Sequence, residues 1–300
     1  MKRPGESDAL PSSTPTSAGA RRRTLARGLA DAHRALDAGD LLAYISGSVV
    51  DGLADALSDI DMGMIFDCLP AEVDLEAACV AAGATPWRWR SGSLDEGGLV
   101  VAFEIDGIEA QIGYSNRATL HAQIDAVLVE HQPETPLHKL AEGVLKAQPF
   151  AGAAELASLQ SRLAAFPPPL GRAMVAHFFA APTPWRAVTQ LLERDAALWC
   201  REIQVDACYR LLGVLAGLNG RYYTRFQLKR MHRFAAALAQ APEALADRIE
   251  ALLQAEPRRA FMSLHALEGE VLALVEAAMP EIDLAAVRAR RSAFAGSAGT

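Results

Sequence analysis

At about residue 117 the chain changes texture, and that change limits its fold more than any other feature. Before it, short apolar runs alternate with polar residues at period two, the pattern of half-buried strands. After it, Ala, Leu, Glu and Arg recur at helical spacing, broken by Pro167-Pro168-Pro169 and by Pro182 and Pro184. Proline lacks an amide donor and clashes with the preceding turn, so each cluster ends a helix. Strands followed by a run of helices specify an α+β chain with segregated parts. The expectation is a mixed sheet flanked by helices over residues 21–117, then an all-helical bundle of five to seven helices over 118–300. Residues 1–20 are rich in Pro, Ser, Thr, Gly and Ala, without the periodicity that offsets ordering entropy, and are expected to form a flexible tail.

Within the first part, Leu25, Leu29, Ala32 and Leu36 mark a helix over 24–38, stopped by Gly39. The preceding Arg21-Arg22-Arg23 run is read as its solvated start, with an anion contact as the alternative. Residues 41–46 read as a short buried strand, and Gly47-Ser48 follows at once. Residues 58–66, SDIDMGMIF, read as a second strand with Ile60, Met62 and Met64 on one face and Asp59, Asp61 and Gly63 on the other. A helix is expected over 72–82. Residues 99–105 and 108–114 alternate on either side of Asp106-Gly107, a strong hairpin signal.

The chemistry concentrates at Gly47-Ser48 and Asp59-Ile60-Asp61. Carboxylates at i and i+2 of a strand share a face, with Cα atoms ~6.6 to 7 Å apart. Such a pair can hold divalent metal, since Mg²⁺ favours oxygen ligands supplied by one or two carboxylates and substrate phosphates. A glycine just past a strand lets a phosphate approach the backbone, and the serine hydroxyl can donate to a phosphate oxygen. Alone, a D-x-D is more often a solvated strand end and a Gly-Ser an ordinary turn; together, each at the end of an apolar strand, they are far more specific. Glu109, the one acid in its strand, projects with Gln111 away from the core and reads as a third metal ligand or a general base. Glu104 and Asp106 are the alternatives.

Composition limits the partners. The 300 residues are 51% hydrophobic and 22% charged, with formal net charge -7. An acidic chain is a poor binder of a phosphate backbone, so nucleic acid is not the expected partner. No apolar run reaches the ~20 residues of a membrane span, and no apolar signal core follows Met1-Lys2-Arg3. Cys68, Cys79, Cys200 and Cys208 lack metal-ligand spacing, and buried, reduced thiols in a cytoplasmic protein are expected. The tryptophans Trp87, Trp89, Trp185 and Trp199 are read as packing groups, and His131, His138, His177 and His232 as structural.

The stretch ISGSVVDGLADALSDIDMGMIF resembles the polymerase-beta-type nucleotidyltransferase superfamily, in its Gly-Ser, about ten residues, then Asp-x-Asp. Its wording is closest to bacterial aminoglycoside-adenylyltransferase-like proteins with a C-terminal helical domain. The resemblance implies transfer of a nucleoside monophosphate, AMP from ATP, to a hydroxyl of a small molecule such as an antibiotic. It implies Mg²⁺ held by Asp59, Asp61 and Glu109, nucleotide contacts from Gly47, Ser48 and Ser58, and an active site in the cleft between the two parts. In some relatives the third acid falls two residues later, where this chain has Gln111. The segment LLGVLAGLNGRYYTRFQLKRMHRFAAAL resembles the helical domain of such enzymes, where basic residues reach toward the triphosphate. Among Arg221, Arg225, Lys229, Arg230 and Arg233, Lys229 and then Arg225 are assigned that role, with a solvated helix face as the alternative. Tyr222 and Tyr223 either stack on a base or sugar or belong to the core. Two other readings stay open: modification of a protein or transfer RNA, as in toxin-system relatives, and an inactive nucleotide-binding module.

Overall fold

A computed structural model describes residues 16–36, 38–180 and 183–295. Most of the expected tail, residues 1–15, and also Pro182 lie outside the described residues. The chain forms two compact units. One runs to Gln123 and takes in Gly143–Ala164; the other holds Ile124–Glu142 and the residues from Ala165. The texture change near residue 117 does not mark the return of Gly143–Ala164 to the first unit. That return follows from pairing, because a short strand within it closes the edge of the sheet.

In the first unit, helix α1 (Ser17–Arg34) begins well before residue 24 and stops short of 38. Thr16 explains the start: its Oγ1 accepts a bond from the Gly19 amide at 3.0 Å, capping the free end of the helix. The strands are β1 (Leu42–Ile45), β2 (Ile60–Phe66), β3 (Trp89–Ser93), β4 (Gly98–Ile105), β5 (Ile108–Asn116) and β6 (Gln148–Ala151). Helices α2 (Glu72–Ala81) and α5 (Ala153–Ala164) belong to this unit, and the division between the units falls within α3 (Arg117–Leu128) and α4 (Leu137–Lys146). The mixed sheet runs β3-β4-β5-β2-β1-β6. Only the central β2–β5 pair is parallel; every other neighbouring pair is antiparallel. The hairpin turn forms as expected, with φ of 53° at Asp106 and 73° at Gly107, the two positive values that a type I′ turn requires.

One face of the sheet carries the core. Ile60, Met62, Met64 and Phe66 of β2 cluster with Ala110, Ile112 and Tyr114 of β5, Val101 and Phe103 of β4, and Ala43 and Ile45 of β1. Leu29 and Ala30 of α1 and Leu75 and Cys79 of α2 belong to the same cluster. Burying each large apolar side chain contributes ~1.5 to 3 kcal/mol, which fixes the strands face-down. The alternate residues, Asp61 and Gly63 of β2 and Glu109 and Gln111 of β5, are thereby turned to the other face.

The second unit is helical. From Arg117 on, the described residues form ten α-helices, α3 to α12, of which α5 belongs to the first unit, against the five to seven expected over this stretch. The later ones are α6 (Pro168–Ala180), α7 (Trp185–Leu192), α8 (Ala197–Leu218), α9 (Met231–Ala236), α10 (Leu245–Gln254), α11 (Pro257–Ala278) and α12 (Ala285–Ala295). Helices α6 and α8 cross at small residues: a β-carbon on Gly171 would lie 2.7 Å from the Gly217 carbonyl. Buried Glu268 of α11 accepts bonds from Trp185 Nε1 at 2.9 Å and Arg291 at 3.0 Å, tying α7 and α12 to α11. Cys79, Cys200 and Cys208 are buried free thiols, whereas Cys68 is exposed, contrary to expectation, because it follows the end of β2 in a bend. No helix among the described residues is long and apolar enough to cross a membrane.

Candidate functional site

The site residues of the first unit gather where β2 and β5 begin and β1 ends. Strand β1 delivers the chain into a short 3-10 turn, Gly47–Val49. The Ser46 amide donates to the Asp61 carbonyl at 2.9 Å, so this turn lies beside the start of β2. Gly47 has φ of 67°, a conformation that a side chain disfavours. A β-carbon there would overlap Oδ2 of Asp61 and stand 3.2 Å from its Cγ. The Asp61 carboxylate therefore rests against the bare Gly47 backbone. In the following residue, the Ser48 hydroxyl oxygen is buried and has no hydrogen-bond partner among the described residues. Such an atom incurs a desolvation cost of ~1 to 3 kcal/mol unless something else bonds it.

Asp59 and Asp61 are half-buried and flank Ile60, which is fully buried. Asp59 precedes β2 rather than lying within it, but the alternation about Ile60 is kept. Asp59 has no hydrogen-bond or ion-pair partner among the described residues. On the parallel neighbour, Gln111 pairs in register with Asp61, and Ala110 with Ile60. Adjacent strands run ~4.8 Å apart, so Gln111 is the side chain level with Asp61. Glu109 stands one same-face step earlier, just ahead of the first paired residues Ile60 and Ala110. It is exposed, and its Oε1 accepts a bond from Gln111 Nε2 at 3.1 Å.

The alternative acids are committed elsewhere. Glu104 stands across β4–β5 from Glu109 but pairs with Arg88 at 2.7 Å. Asp106 occupies the turn and accepts from Arg21 Nε at 2.9 Å. Ser58 is also engaged: its hydroxyl bonds the Asp55 amide and carboxylate, both at 3.0 Å. Its hydroxyl thus holds the loop ahead of Asp59.

Three neighbours of this site carry no sequence signal of their own. Arg22, read as part of a solvated or anion-binding run, is buried and donates to backbone carbonyls. Tyr44 lies across Gly63, where a β-carbon would overlap its ring, and burial pushes its phenol well above the usual range. Lys146 stands 3.9 Å from Asp51, which follows the Gly47–Val49 turn. The buried arginine and tyrosine were not legible because charge and aromaticity mark residues for the surface or the core without saying what they touch.

The cations assigned to the triphosphate belong to the second unit. Arg225 and Lys229 lie on a 3-10 helix, Arg225–Arg230. The Arg225 guanidinium sits 4.3 Å from the centre of the Tyr209 ring and 3.9 Å from Asp206. Lys229 is exposed. Tyr222 and Tyr223 take the core alternative: both are buried, Tyr222 against Phe166 and Tyr223 against Phe178 and Phe234. The tryptophans divide, with Trp185 fully buried and Trp89 and Trp199 exposed.

Chemically, the cluster is a set of hard oxygen donors beside an open backbone. Asp59 without a protein partner, Asp61 held against Gly47 and the orphaned Ser48 hydroxyl fit a divalent cation with a phosphate ligand. No known family profile matches the chain, and no curated protein matches it. Among solved structures it is similar to that of a nucleotidyltransferase-like protein from Exiguobacterium sibiricum 255-15. That likeness is loose, with 12% identity and a TM-score of 0.41 over 88% of this chain and 80% of the other.

Proposed function

We propose that this chain is a Mg²⁺-dependent nucleotidyltransferase that moves AMP from ATP to a hydroxyl of a small molecule. The observation that carries the reading is the coincidence of an Asp59 and a buried Ser48 hydroxyl that have no partner among the described residues with a Gly47 backbone bare against Asp61. A structural turn would have satisfied the hydroxyl.

Asp59, Asp61 and Glu109 would hold the metal, which when bound neutralises charge on the α-phosphate and on departing pyrophosphate. Gly47 admits a phosphate to the backbone, and the Ser48 hydroxyl donates to one of its oxygens. The acceptor hydroxyl oxygen attacks the α-phosphorus as the bond to pyrophosphate breaks. Its proton passes to a carboxylate, for which Glu109 is the candidate base. Gln111 orients that carboxylate by donating to Oε1.

One observation favours a second reading, a nucleotide-binding module without turnover: an amide rather than an acid stands level with Asp61. A screen with labelled ATP across aminoglycosides, lincosamides, proteins and transfer RNA separates the two. Transfer reads as labelled acceptor with stoichiometric pyrophosphate. ATP bound with Mg²⁺ but never turned over sinks the enzyme reading and leaves the module.

A further inference from the structure

The approach to Asp59 is poorly anchored by packing. Asp55, Ala56 and Leu57 are exposed, Leu57 at 97%, and only Ala54 of residues 54–58 is buried. Such a segment opens readily unless hydrogen bonds hold it. Asp55, Leu57 and Ser58 bond one another locally, and the bonds that tie the segment to the rest of the unit come from the first turns of α1. Thr16 Oγ1 donates to the Ala54 carbonyl at 2.8 Å. Arg22 Nε donates to the Ser58 carbonyl at 2.8 Å, and its Nη2 to that of Ala56 at 3.3 Å. Its Nη1 turns back to the Ala18 carbonyl in the same helix at 3.1 Å, which fixes the guanidinium.

Arg22 is 4% exposed and has no carboxylate partner among the described residues. A buried cation without a counter-ion is a poor way to stabilise a fold, since desolvation offsets what its bonds return. What the planar guanidinium does well is fix several acceptors in one geometry. The acceptors here are the carbonyls one and three residues before Asp59.

We propose that Arg22, seconded by Thr16, is a positioning residue that sets the backbone ahead of Asp59 and so aims the Asp59 and Asp61 carboxylates. The proposal rests on the reading of that pair as the metal-binding site. A misplacement of ~1 Å at a reacting centre can lower turnover ~100-fold, so a clamp on this segment bears on chemistry more than on stability.

The test compares Arg22→Met, Arg22→Lys and the gentler Thr16→Val with the wild-type full chain. Amide exchange is followed across residues 54–61, with the β4–β5 amides as internal control. The Mg²⁺ dependence of ATP binding is measured on the same samples, and pyrophosphate release with any acceptor found. Arg22→Met is expected to speed exchange in 54–61 ~10-fold or more while the control is unchanged. It should raise the Mg²⁺ midpoint and lower kcat by ~10- to ~100-fold at unaltered acceptor KM. Arg22→Lys, which can reach some of the same carbonyls, should recover part of each. If Arg22→Met does not fold, Thr16→Val carries the same expectations at smaller size. A lowered Tm with wild-type Mg²⁺ dependence and wild-type kcat per folded molecule overturns the proposal. If the wild type binds no ATP with Mg²⁺, the nucleotidyltransfer reading fails on its own. Exchange then tests the backbone restraint separately: unchanged rates in 54–61 overturn it too, and accelerated rates uphold Arg22 as the residue that fixes this segment while its role in aiming metal ligands falls with that reading.

Discussion

Replacing Gly47 with alanine separates what the turn contributes to folding from what it contributes to the site. The backbone at Gly47 has φ of 67°. Holding an L-residue there costs ~1 to 2 kcal/mol, which in a unit of this size lowers Tm by ~2 to 8 °C. The added methyl also overlaps Oδ2 of Asp61, the far end of a side chain that can rotate away. Relief of that clash is cheap in stability, but it swings a proposed metal ligand off its position. Gly47→Ala should therefore lose Mg²⁺-dependent ATP binding by ~10-fold or more, out of proportion to its modest fall in Tm. Gly107→Ala is the control: φ is 73°, nothing lies within 4 Å of the added carbon, and the position is the tip of the β4–β5 hairpin. It should show a similar fall in Tm with intact binding. Calorimetric melting and nucleotide titration at several Mg²⁺ concentrations measure both. Equal Tm losses with wild-type nucleotide binding in both variants would refute the placement of Asp61 as a ligand pressed against Gly47.

Asp59 has no partner to lose among the described residues, so Asp59→Ala should leave folding stability within ~0.5 kcal/mol of wild type while pyrophosphate release drops ~100-fold or more; retained turnover would remove Asp59 from the machinery. Gln111→Glu places an acid level with Asp61 and should lower the Mg²⁺ concentration needed for nucleotide binding, whereas Gln111→Ala frees Glu109 and should lower turnover; no change in either titration would deny the amide any part in the site. Burial holds the Glu268 carboxyl above its usual range, with Arg291 and Trp185 acting the other way. A carboxyl raised in the folded state contributes stability that is fully present below its unfolded pKa of about 4.5 and is lost as pH rises through the folded value. Melting of Glu268→Gln should accordingly be flatter across that window than wild type, and an unchanged slope would mean the burial effect is not felt.

How much of this was legible in the sequence depended on whether a feature repeats locally. The period-two runs gave β2, β4 and β5 within two residues, and Asp106-Gly107 gave the turn between the last two, because strand alternation and a type I′ turn are decided by nearest neighbours. Strand β6, four residues with Pro149 inside, has no period to read and exists because β1 offers it an edge. Strand β3 is nearly all exposed, so it lacks the apolar face that announces a strand. The start of α1 was hidden by composition: a Thr-Ser-Ala-Gly-Ala stretch looks like linker, and only the bonds made by Thr16 and Arg22 make it a helix end. The candidate site was legible in its pairs and not in its connections, since hydrogen bonds between residues 36 apart leave no spacing to find.

Register is where the third acid is decided, and register is what spacing leaves open. A strand slipped by two residues keeps every apolar side chain on the core face, so alternation alone allows either Glu109 or Gln111 to stand beside Asp61. The parallel pairing places Gln111 level with Asp61 and leaves Glu109 just ahead of the first pair, Ile60–Ala110, on the Asp59 side. The two β5 side chains then have different tasks open to them. Glu109 lies on the Asp59 side of the first paired residues, Ile60 and Ala110, where a cation shared with that acid would relieve the repulsion between two carboxylates. Gln111 lies beside the carboxylate already resting on Gly47, and it spends its amide on Glu109. An acid at 111 would crowd a second charge against Asp61; an amide there can donate, which a carboxylate cannot. The departure from an acid at this position is therefore compatible with a working site in which the third carboxylate approaches from the Asp59 side.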